Sequence, residues 1–387
     1  MQNNYNDKSL IFLNKQWICA ISLFCIFTFM SISAFSQTKD EIILLGKNDL
    51  LQKQYAPAIQ LFTNLYKTDT KDIDGIYWLS YAQTLAGNYE QADKLLKQGI
   101  QLKPDYFGFY DVYGQYFFLQ NDFDNALLYF NESLKLNPAN ATSLNTRGMC
   151  YNYLGKYDLA FADFNSAILI DSTLAAAYNN RATARYNNQN IAKASLTDLH
   201  FALIDLNKCL MLDNNNALAY RNRGIVYFYL DSMFLAKQDL NTAVVLNSAD
   251  VNAHYFLGKT LYHLDEKESA LTQFNKAIQL ENYKAEFYMD RGIVLTDLKQ
   301  FAAARTDFYQ AQQISNDFKG IANYQNARSY AAEGNKKQMI VALKAANKVK
   351  LFKKYPAIFN EIKQDEYFMK FEKDKDFYDL LQKFKFD

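Results

Sequence analysis

The sequence is poor in the residues that break helices, and it is poor in cysteine. Its 387 residues include only 4 Pro, 13 Gly and 4 Cys. Because short strands joined by tight turns depend on Gly and Pro, their scarcity argues against a fold of that kind. Cys19 and Cys25 lie close to the N-terminus. The other two, Cys150 and Cys209, are predicted to be buried thiols rather than parts of a disulfide framework.

The sequence also lacks an excess of charge of either sign. Its 42 basic and 41 acidic residues give a formal net charge of +1, so the chain has no global electrostatic reason to bind nucleic acid. Hydrophobic residues make up 50% of the chain and charged residues 21%, which argues against a disordered protein. The 29 Tyr and 30 Phe residues favour packed helices, because large side chains are needed to fill the space between them.

The N-terminus has the pattern of a secretory signal. Lys8 and Lys15 precede an uncharged apolar run over residues 17–35, and Ala34 and Ser36 place small residues before a cleavage point at Gln37. This order predicts a signal peptide over residues 1–36 and export to the periplasm or the cell surface. The apolar run is close to the length of about 18 residues that spans a membrane, so an uncleaved N-terminal anchor is the alternative.

The rest of the chain repeats at a constant interval. Tyr89, Phe123 and Tyr157 are evenly spaced along the sequence, and an alanine follows each of them three positions later. Repeat 5 carries an insertion of eight residues, which is close to two helical turns and so predicts a longer helix over residues 192–212. The predicted repeats are residues 39–72, 73–106, 107–140, 141–174, 175–216, 217–250, 251–284 and 285–318.

Each repeat is predicted to form two helices. Apolar residues recur three and four positions apart in each half, and pairs such as Gly87-Asn88 suit the end of a helix between the halves. A single helical hairpin cannot bury its apolar face, so neighbouring hairpins must stack. Residues 319–387 depart from the pattern and predict one degenerate repeat followed by capping helices at the C-terminus.

The period of about 34 residues and the recurring Gly, Tyr, Ala, Phe, Ala and Pro positions resemble those of tetratricopeptide repeats. The resemblance covers residues 39–318. It implies an all-α fold, in which antiparallel helix pairs form a right-handed solenoid with a C-terminal helical cap. It also implies that the first helix of each pair faces an inner groove, and that the protein binds protein or peptide partners there.

Two further positions vary together. We count offsets from the first residue of each repeat. Arg at offset 7 occurs only where Asp stands at offset 23, with Asp205 counted from the far side of the insertion in repeat 5. A lone buried arginine is costly. This covariation predicts structural ion pairs within repeats, namely Arg147 with Asp163, Arg181 with Asp205, Arg223 with Asp239, and Arg291 with Asp307.

We find no motif of an enzyme in the sequence. His254 and His263 are nine positions apart, which is not a metal-ligand spacing on a helix, and His254 is predicted to pack in the core. The sequence therefore predicts no catalytic residue, no metal and no cofactor. Two alternatives stay open: a cell-envelope enzyme or glycan-binding module with a site in the groove, and a membrane-anchored passive spacer.

The resemblance implies that offsets 2, 5, 9, 12 and 13 of the first helices line the groove. Tyr offers a large contact area and Asn can bind a peptide backbone, so an extended peptide or a partner helix is the predicted ligand. Alternatively, some of these side chains only pack between neighbouring first helices. The Lys and Asn pattern with which some family members hold a terminal carboxylate is not evident. The predicted groove residues are Tyr77, Tyr81, Gln115, Asn145, Asn152, Asn179, Tyr186, Arg221, Tyr255, Lys259 and Tyr262.

A run of lysines lies near the C-terminus. Residues 334–360 include seven lysines between Lys336 and Lys354, and they contain no Asp or Glu. One hypothesis is peripheral contact with an anionic surface, and the other is a solvated helix face. Taken together, the sequence predicts an exported scaffold that binds proteins or peptides and organises a complex in the cell envelope.

Overall fold

The structure, a computed structural model, describes residues 38–187 and 191–386. Within these ranges the chain forms 22 α-helices and two short 3-10 helices, and no strand. The predicted all-α class is confirmed. The predicted signal peptide over residues 1–36 lies outside the described residues. No helix in the described ranges is both long enough and apolar enough to cross a membrane.

Contacts divide the described residues into two compact units, with the boundary between residues 138 and 139, and we describe each by itself. Unit 1 contains three antiparallel helical hairpins. Its helices are α1 Lys39–Leu51, α2 Tyr55–Thr68, α3 Ile73–Leu85, α4 Tyr89–Leu102, α5 Phe107–Leu119 and α6 Phe123–Leu136.

Unit 2 contains six further hairpins and four short or amphipathic helices after them. The hairpin helices are α7 Ala141–Tyr153, α8 Tyr157–Ile170, α9 Ala175–Asn187, α10 Leu196–Leu212, α11 Ala217–Tyr229, α12 Met233–Leu246, α13 Val251–His263, α14 Lys267–Leu280, α15 Ala285–Asp297, α16 Phe301–Ile314, α17 Lys319–Glu333 and α18 Lys336–Lys348. The helices that follow are α19 Leu351–Lys354, α20 Pro356–Glu361, α21 Glu366–Met369 and α22 Lys375–Phe386.

Local sequence sets where these helices begin and turn. Asn216 accepts a hydrogen bond from the backbone N–H of Ala219 at the start of α11 (3.0 Å), and Asp250 accepts one from Ala253 at the start of α13 (3.0 Å). Such side chains satisfy backbone donors that have no partner within the helix. The turn between α3 and α4 places Gly87 at φ +78°, a left-handed conformation that costs glycine little.

Close contact between a glycine and an aromatic ring holds many of the hairpins together. A Cβ atom on Gly292 of α15 would lie 2.5 Å from the ring of Phe308 on α16, and one on Gly258 of α13 would lie 2.9 Å from Phe274 on α14. Both rings are fully buried. The absence of a side chain at offset 8 therefore lets the second helix press its aromatic ring against the backbone of the first.

The insertion in repeat 5 does not form the single long helix predicted over residues 192–212. Residues Ile191–Lys193 form a 3-10 helix, and α10 begins only at Leu196. Ser195 ends the irregular segment because its hydroxyl accepts a hydrogen bond from the N–H of Asp198 (3.1 Å) and so caps α10. The helix still has 17 residues, three more than α12, α14 or α16.

The C-terminal helices pack onto the last hairpin through an aromatic core. Phe368 stacks on Phe377 with ring centroids 6.1 Å apart, and both side chains are buried. Lys336, the first residue of the lysine run, forms ion pairs with Asp374 (2.6 Å) and Asp376 (2.8 Å) and so ties α18 to the segment that leads into α22. The other lysines of the run are exposed.

Candidate functional site

The structure brings together all four arginine–aspartate pairs that the sequence predicts. Each arginine uses Nε and Nη2 to donate to the two carboxylate oxygens of its aspartate, as in Arg291 with Asp307, where both distances are 2.7 Å. The four aspartates are buried. The hydrogen bond with Asp239 raises the pKa of Arg223, as expected for a charge-assisted bidentate pair. The other pairs are Arg147 with Asp163 and Arg181 with Asp205.

Arg181, Arg223 and Arg291 also join neighbouring hairpins. The Nη1 group of Arg223 donates to the Oδ1 atom of Asn207 on the preceding second helix (2.7 Å), and Arg291 makes the same contact with Asn275 (2.8 Å). Each asparagine lies 16 residues before its arginine, and Asn165 stands in the same relation to Arg181. The guanidinium groups are thereby engaged in structural contacts, which leaves ligand binding to other residues.

An uninterrupted chain of amide hydrogen bonds crosses three first helices of unit 2. Asn180 of α9 donates to Asn145 of α7 (3.0 Å), and Asn179 donates to Asn180 (3.3 Å). Asn222 of α11 then donates to Asn179 (2.8 Å). We call Asn145, Asn179, Asn180 and Asn222 the amide network.

Arg221 ends the amide network at its far side. Its Nε and Nη2 atoms donate to the Oδ1 atom of Asn222 at 3.2 and 3.1 Å, and its Nη1 atom donates to Asp250 at 3.0 Å. Asp250 is also the N-cap of α13. The predicted groove residue Arg221 is therefore charge-neutralised, and it orients an amide rather than offering a free cation.

Two predicted groove tyrosines bind carboxylates of the next hairpin. The hydroxyl of Tyr255 donates to Asp290 (2.7 Å), and the hydroxyl of Tyr262 donates to Asp297 (2.7 Å). Burial, together with Asp290, raises the pKa of Tyr255. Each donor and acceptor are 35 residues apart, so these tyrosines join α13 to α15. They belong to the packing between first helices, which was the alternative interpretation of the aromatic residues.

Lys259, on the same helix, has a different environment. Its ammonium nitrogen lies 5.3, 5.5 and 5.7 Å from the ring centroids of Phe228, Tyr255 and Phe256. Lys259, Tyr262, His263 and Asp290 line one cleft with Phe274 and Ile293. A carboxylate, an ammonium group and an imidazole thus face the same small space.

The remaining predicted residues of unit 2 are largely buried, as are Asn145, Asn179 and Asn222 of the amide network, which are 6%, 7% and 3% exposed. Tyr186 is only 6% exposed and packs in the core of the α9 and α10 hairpin, where burial raises its pKa. It therefore does not reach the surface that the sequence assigned to it, because α10 and α11 cover its ring. The Oδ1 atom of Asn152 is buried and has no hydrogen-bond partner within the described residues. His254 is buried, as predicted, and its ring contacts the side-chain oxygen of Gln273 at 2.7 Å.

The equivalent surface of unit 1 is aromatic. Tyr77 lies in edge contact with Trp78 (4.9 Å between centroids) and Tyr106 (5.7 Å), and it stacks on Tyr81 (6.4 Å). Burial raises the pKa of Tyr81, and the neighbouring Gln115 amide acts in the opposite direction. The three predicted residues of unit 1 therefore form a half-buried aromatic surface with one amide on it.

Sequence reasoning missed the residues at offset 6. Asn180, Asn222 and Asp290 all occupy this offset and all bind a residue at offset 5 of the preceding hairpin. The recurrence of a polar residue at one offset was a detectable signal. The two cysteines of unit 2 are buried free thiols, and burial raises the pKa of Cys150 to about 12 and that of Cys209 to about 11.

Comparisons with known proteins agree on the family. Sequence models described as tetratricopeptide repeat match residues 49–109, residues 86–141 and 113–173, and residues 251–283. Among solved structures, the APC/C hetero-tetramer Cut9-Hcn1 has a chain that matches with a TM-score of 0.63. The match has 16% identity and covers 78% of this chain and 57% of that one. At this identity the likeness shows the fold.

Two curated relatives match a shorter part of the chain. The BBSome complex member BBS4 of Bos taurus is 23% identical over 137 residues, which are 35% of this chain and 26% of the relative. The Hsp70-Hsp90 organizing protein 2 of Arabidopsis thaliana is 25% identical over 142 residues, which are 37% of this chain and 24% of the relative. The matches thus span about a quarter of the length of each relative. From its repeated hairpins and these matches, the chain belongs to the tetratricopeptide repeat family, whose members act as protein-interaction scaffolds.

Proposed function

We propose that this protein is an exported scaffold that binds an extended segment of its partner proteins and organises a complex in the cell envelope. The binding surface is the first-helix face of unit 2, by which we mean offsets 2, 5, 6, 9, 12 and 13 of α7, α9, α11, α13 and α15. The amide network is the observation that carries this proposal. It places polar groups of both kinds, donor and acceptor, along three consecutive first helices.

The amide network has hydrogen-bonding capacity left for a ligand. A carboxamide has two N–H donors and an oxygen with two lone pairs. Within the described residues, Asn145 accepts one hydrogen bond and donates none, while Asn180 donates one of its two amide protons. A peptide backbone offers one donor and one acceptor at almost every residue. Asn180 is the half-buried member of the network, so a backbone would reach its unused amide proton first, while the buried Asn145, Asn179 and Asn222 hold that amide in place. Such recognition does not require a particular sequence.

Electrostatics on this face favour recognition of the backbone over recognition of a charged group. Arg221 is paired with Asp250, and the arginines at offset 7 are paired with aspartates. Few fixed charges remain beside the amide network. A nearly neutral site gains little from long-range attraction, so we expect modest affinity and a weak dependence of that affinity on salt.

The name of the Arabidopsis relative describes an organizing protein, which is consistent with a scaffold. Support for export comes from the order of Lys8, Lys15, the apolar run and Ser36. N-terminal sequencing of the mature protein from the envelope fraction tests this part. We expect the mature chain to begin at Gln37, whereas an intact segment 1–36 in the membrane would support the anchor instead.

Selection from a random peptide library tests the binding surface. We expect selected peptides to bind residues 38–387 with micromolar affinity. We expect Asn180→Ala to weaken them about fivefold, the loss for one net hydrogen bond. Asn241→Ala is the matched control, since it removes an exposed amide from the second helix α12, away from the arginine pairs and the amide network. Failure to enrich any peptide, or equal affinity for both variants, would overturn the proposal.

A further inference from the structure

A small cleft on the first-helix face lies beyond the amide network. Residues of α13, α14 and α15 line it, namely Lys259, Tyr262, His263, Phe274, Asp290 and Ile293, and its volume is about 120 Å³. Whole small-molecule ligands occupy pockets of about 300–1,000 Å³. The cleft is therefore of a size to receive the end of one side chain rather than an entire small molecule.

Lys259 supplies hydrogen-bond donors to this cleft. Its ammonium group lies against the three rings of Phe228, Tyr255 and Phe256, and no carboxylate lies within ion-pair distance of it in the described ranges 38–187 and 191–386. The aromatic faces stabilise the positive charge and fix its place. An ammonium group has three N–H donors and no acceptor, so these protons are available to an acceptor that enters the cleft.

Asp290 supplies the complementary acceptor from the facing helix. Its Oδ2 atom accepts a hydrogen bond from Tyr255, while its Oδ1 atom has no hydrogen-bond partner among the residues that the structure describes. Burial raises the pKa of Asp290, and Lys259, Tyr255 and His263 act in the opposite direction. A second hydrogen bond to Oδ1 would therefore satisfy a carboxylate that is poorly solvated.

We infer that the cleft is a subsite for the side-chain carboxamide of a glutamine or asparagine in the bound segment. The carboxamide oxygen accepts from Lys259, and the carboxamide nitrogen donates to Asp290. The two charged groups stand on different helices, and a carboxamide presents its acceptor and its donor on two different atoms. This inference rests on the proposed function, because it names a feature of the segment that the first-helix face would bind.

Other side-chain ends fit the cleft less well. A carboxylate would pair with Lys259 but would be repelled by Asp290. An ammonium or guanidinium group would pair with Asp290 but would be repelled by Lys259. In a partly buried space such repulsion is only weakly screened. An apolar end would leave both charged groups without the new hydrogen bonds. The carboxamide is the end that satisfies both.

Four capped amino acids probe the cleft without any peptide ligand. N-acetyl amides of glutamine, glutamate, lysine and methionine have similar length and differ in the group at the end. We would titrate each into the protein and follow the NMR signals of the Lys259 side chain and the His263 ring. We expect saturable shifts with the glutamine probe and affinity about fivefold higher than for the other three, as for one or two net hydrogen bonds.

Two variants make the test specific. Lys259→Met keeps a long side chain over the rings and should abolish the preference for glutamine. Asp290→Asn keeps an acceptor for Tyr255 and removes the repulsion, so it should raise the affinity for the glutamate probe relative to glutamine by about fivefold. Thermal melting of both variants within a few degrees of wild type shows that the fold is retained. Equal shifts for all four probes, or unchanged preferences in both variants, would overturn the inference.

The outcomes separate this inference from the proposed function. If peptides bind as proposed but the probes show no preference, the subsite is wrong and the scaffold proposal stands. If the glutamine probe binds as expected but library selection yields no peptide, the subsite stands as a local binding site and the proposed peptide-binding function fails.

Discussion

The two units close their hairpins with different chemistry at the same two offsets. In unit 1, offsets 7 and 23 are filled by apolar or aromatic pairs, such as Tyr113 and Tyr129, whose ring centroids are 4.4 Å apart. In unit 2, four hairpins use an arginine and an aspartate there, and hairpin α13–α14 uses Leu257 and Gln273. Both solutions fill the space between two helices, so hairpin closure by itself does not require an ion pair.

The two kinds of contact differ in how strongly they depend on the orientation of the side chains. Apolar contacts are non-directional, whereas a guanidinium group has donors in a fixed planar arrangement. Arg223 uses that arrangement to bind Asp239 within its hairpin and Asn207 on the preceding one. We expect the ion pairs to set the register between neighbouring hairpins of unit 2, and the amide network to depend on this register.

Breaking one ion pair should have the largest effect. Asp239→Ala leaves Arg223 partly buried without its carboxylate, and we expect the free energy of unfolding to fall by about 3 kcal/mol, the lower end for a broken buried pair. Urea unfolding of residues 38–387 measures it. Arg223→Ala and the double variant complete a cycle in which the losses should not add. Purely additive losses would show that the two residues do not act as a pair.

Truncation of an apolar pair in unit 1 should lower the free energy of unfolding somewhat less than breaking an ion pair does. Leu95 is 8% exposed and packs at offset 23 in the core of unit 1. We expect Leu95→Ala to lower the free energy of unfolding by about 2 kcal/mol, the low end for a core leucine beside a partly open surface. This loss should be the same between about pH 5 and pH 8, because no charge is involved. A marked pH dependence would contradict the apolar account.

Replacing the ion pair by the apolar solution of unit 1 should have a small effect on stability. We expect Arg223→Leu combined with Asp239→Leu to lie within about 1 kcal/mol of wild type, because a well-packed apolar pair can substitute for a buried ion pair. Amide hydrogen exchange in α10 and α11 should nevertheless become faster, since Asn207 loses its donor. Unchanged exchange would show that the ion pairs do not set the register.

The smallest change in stability is expected at Asp290, an aspartate that forms no ion pair with an arginine within the described residues. Its pKa is raised by burial, with Glu286 acting in the same direction and Lys259, Tyr255 and His263 in the other. A raised carboxyl pKa destabilises the fold above the folded pKa, and the penalty disappears as the pH falls towards the ordinary value of about 3.9. We expect Asp290→Asn to be slightly more stable than wild type at neutral pH, with the difference vanishing in acid. Equal melting temperatures at all pH values would contradict this.

The sequence was informative where one repeat could be compared with another. The all-α class and the tetratricopeptide family follow from positions that recur once in every repeat, and Arg223 with Asp239 could be paired because both types change together. Contacts between hairpins were harder to predict from the sequence. That Tyr255 binds Asp290, or that Asn222 binds Asn179, depends on how neighbouring first helices are placed side by side.

Other differences came from local features with no counterpart in the repeat. Ser195 caps α10 and prevents the predicted helix from starting at residue 192, because its hydroxyl satisfies a backbone donor three positions later. Tyr186 occupies an offset that the family directs inward, but the hairpin with the insertion buries it. A period alone does not report where an insertion places its extra residues.

Photocrosslinking from two matched positions tests the central claim, that partners bind the first-helix face of unit 2. Met149 lies on that face at offset 9 of α7, and Leu169 lies on the second helix α8 with 88% of its side chain exposed. p-Benzoylphenylalanine would replace one or the other in cells. We expect crosslinks to partner proteins from position 149 and few or none from position 169. Crosslinks from position 169 alone would contradict it.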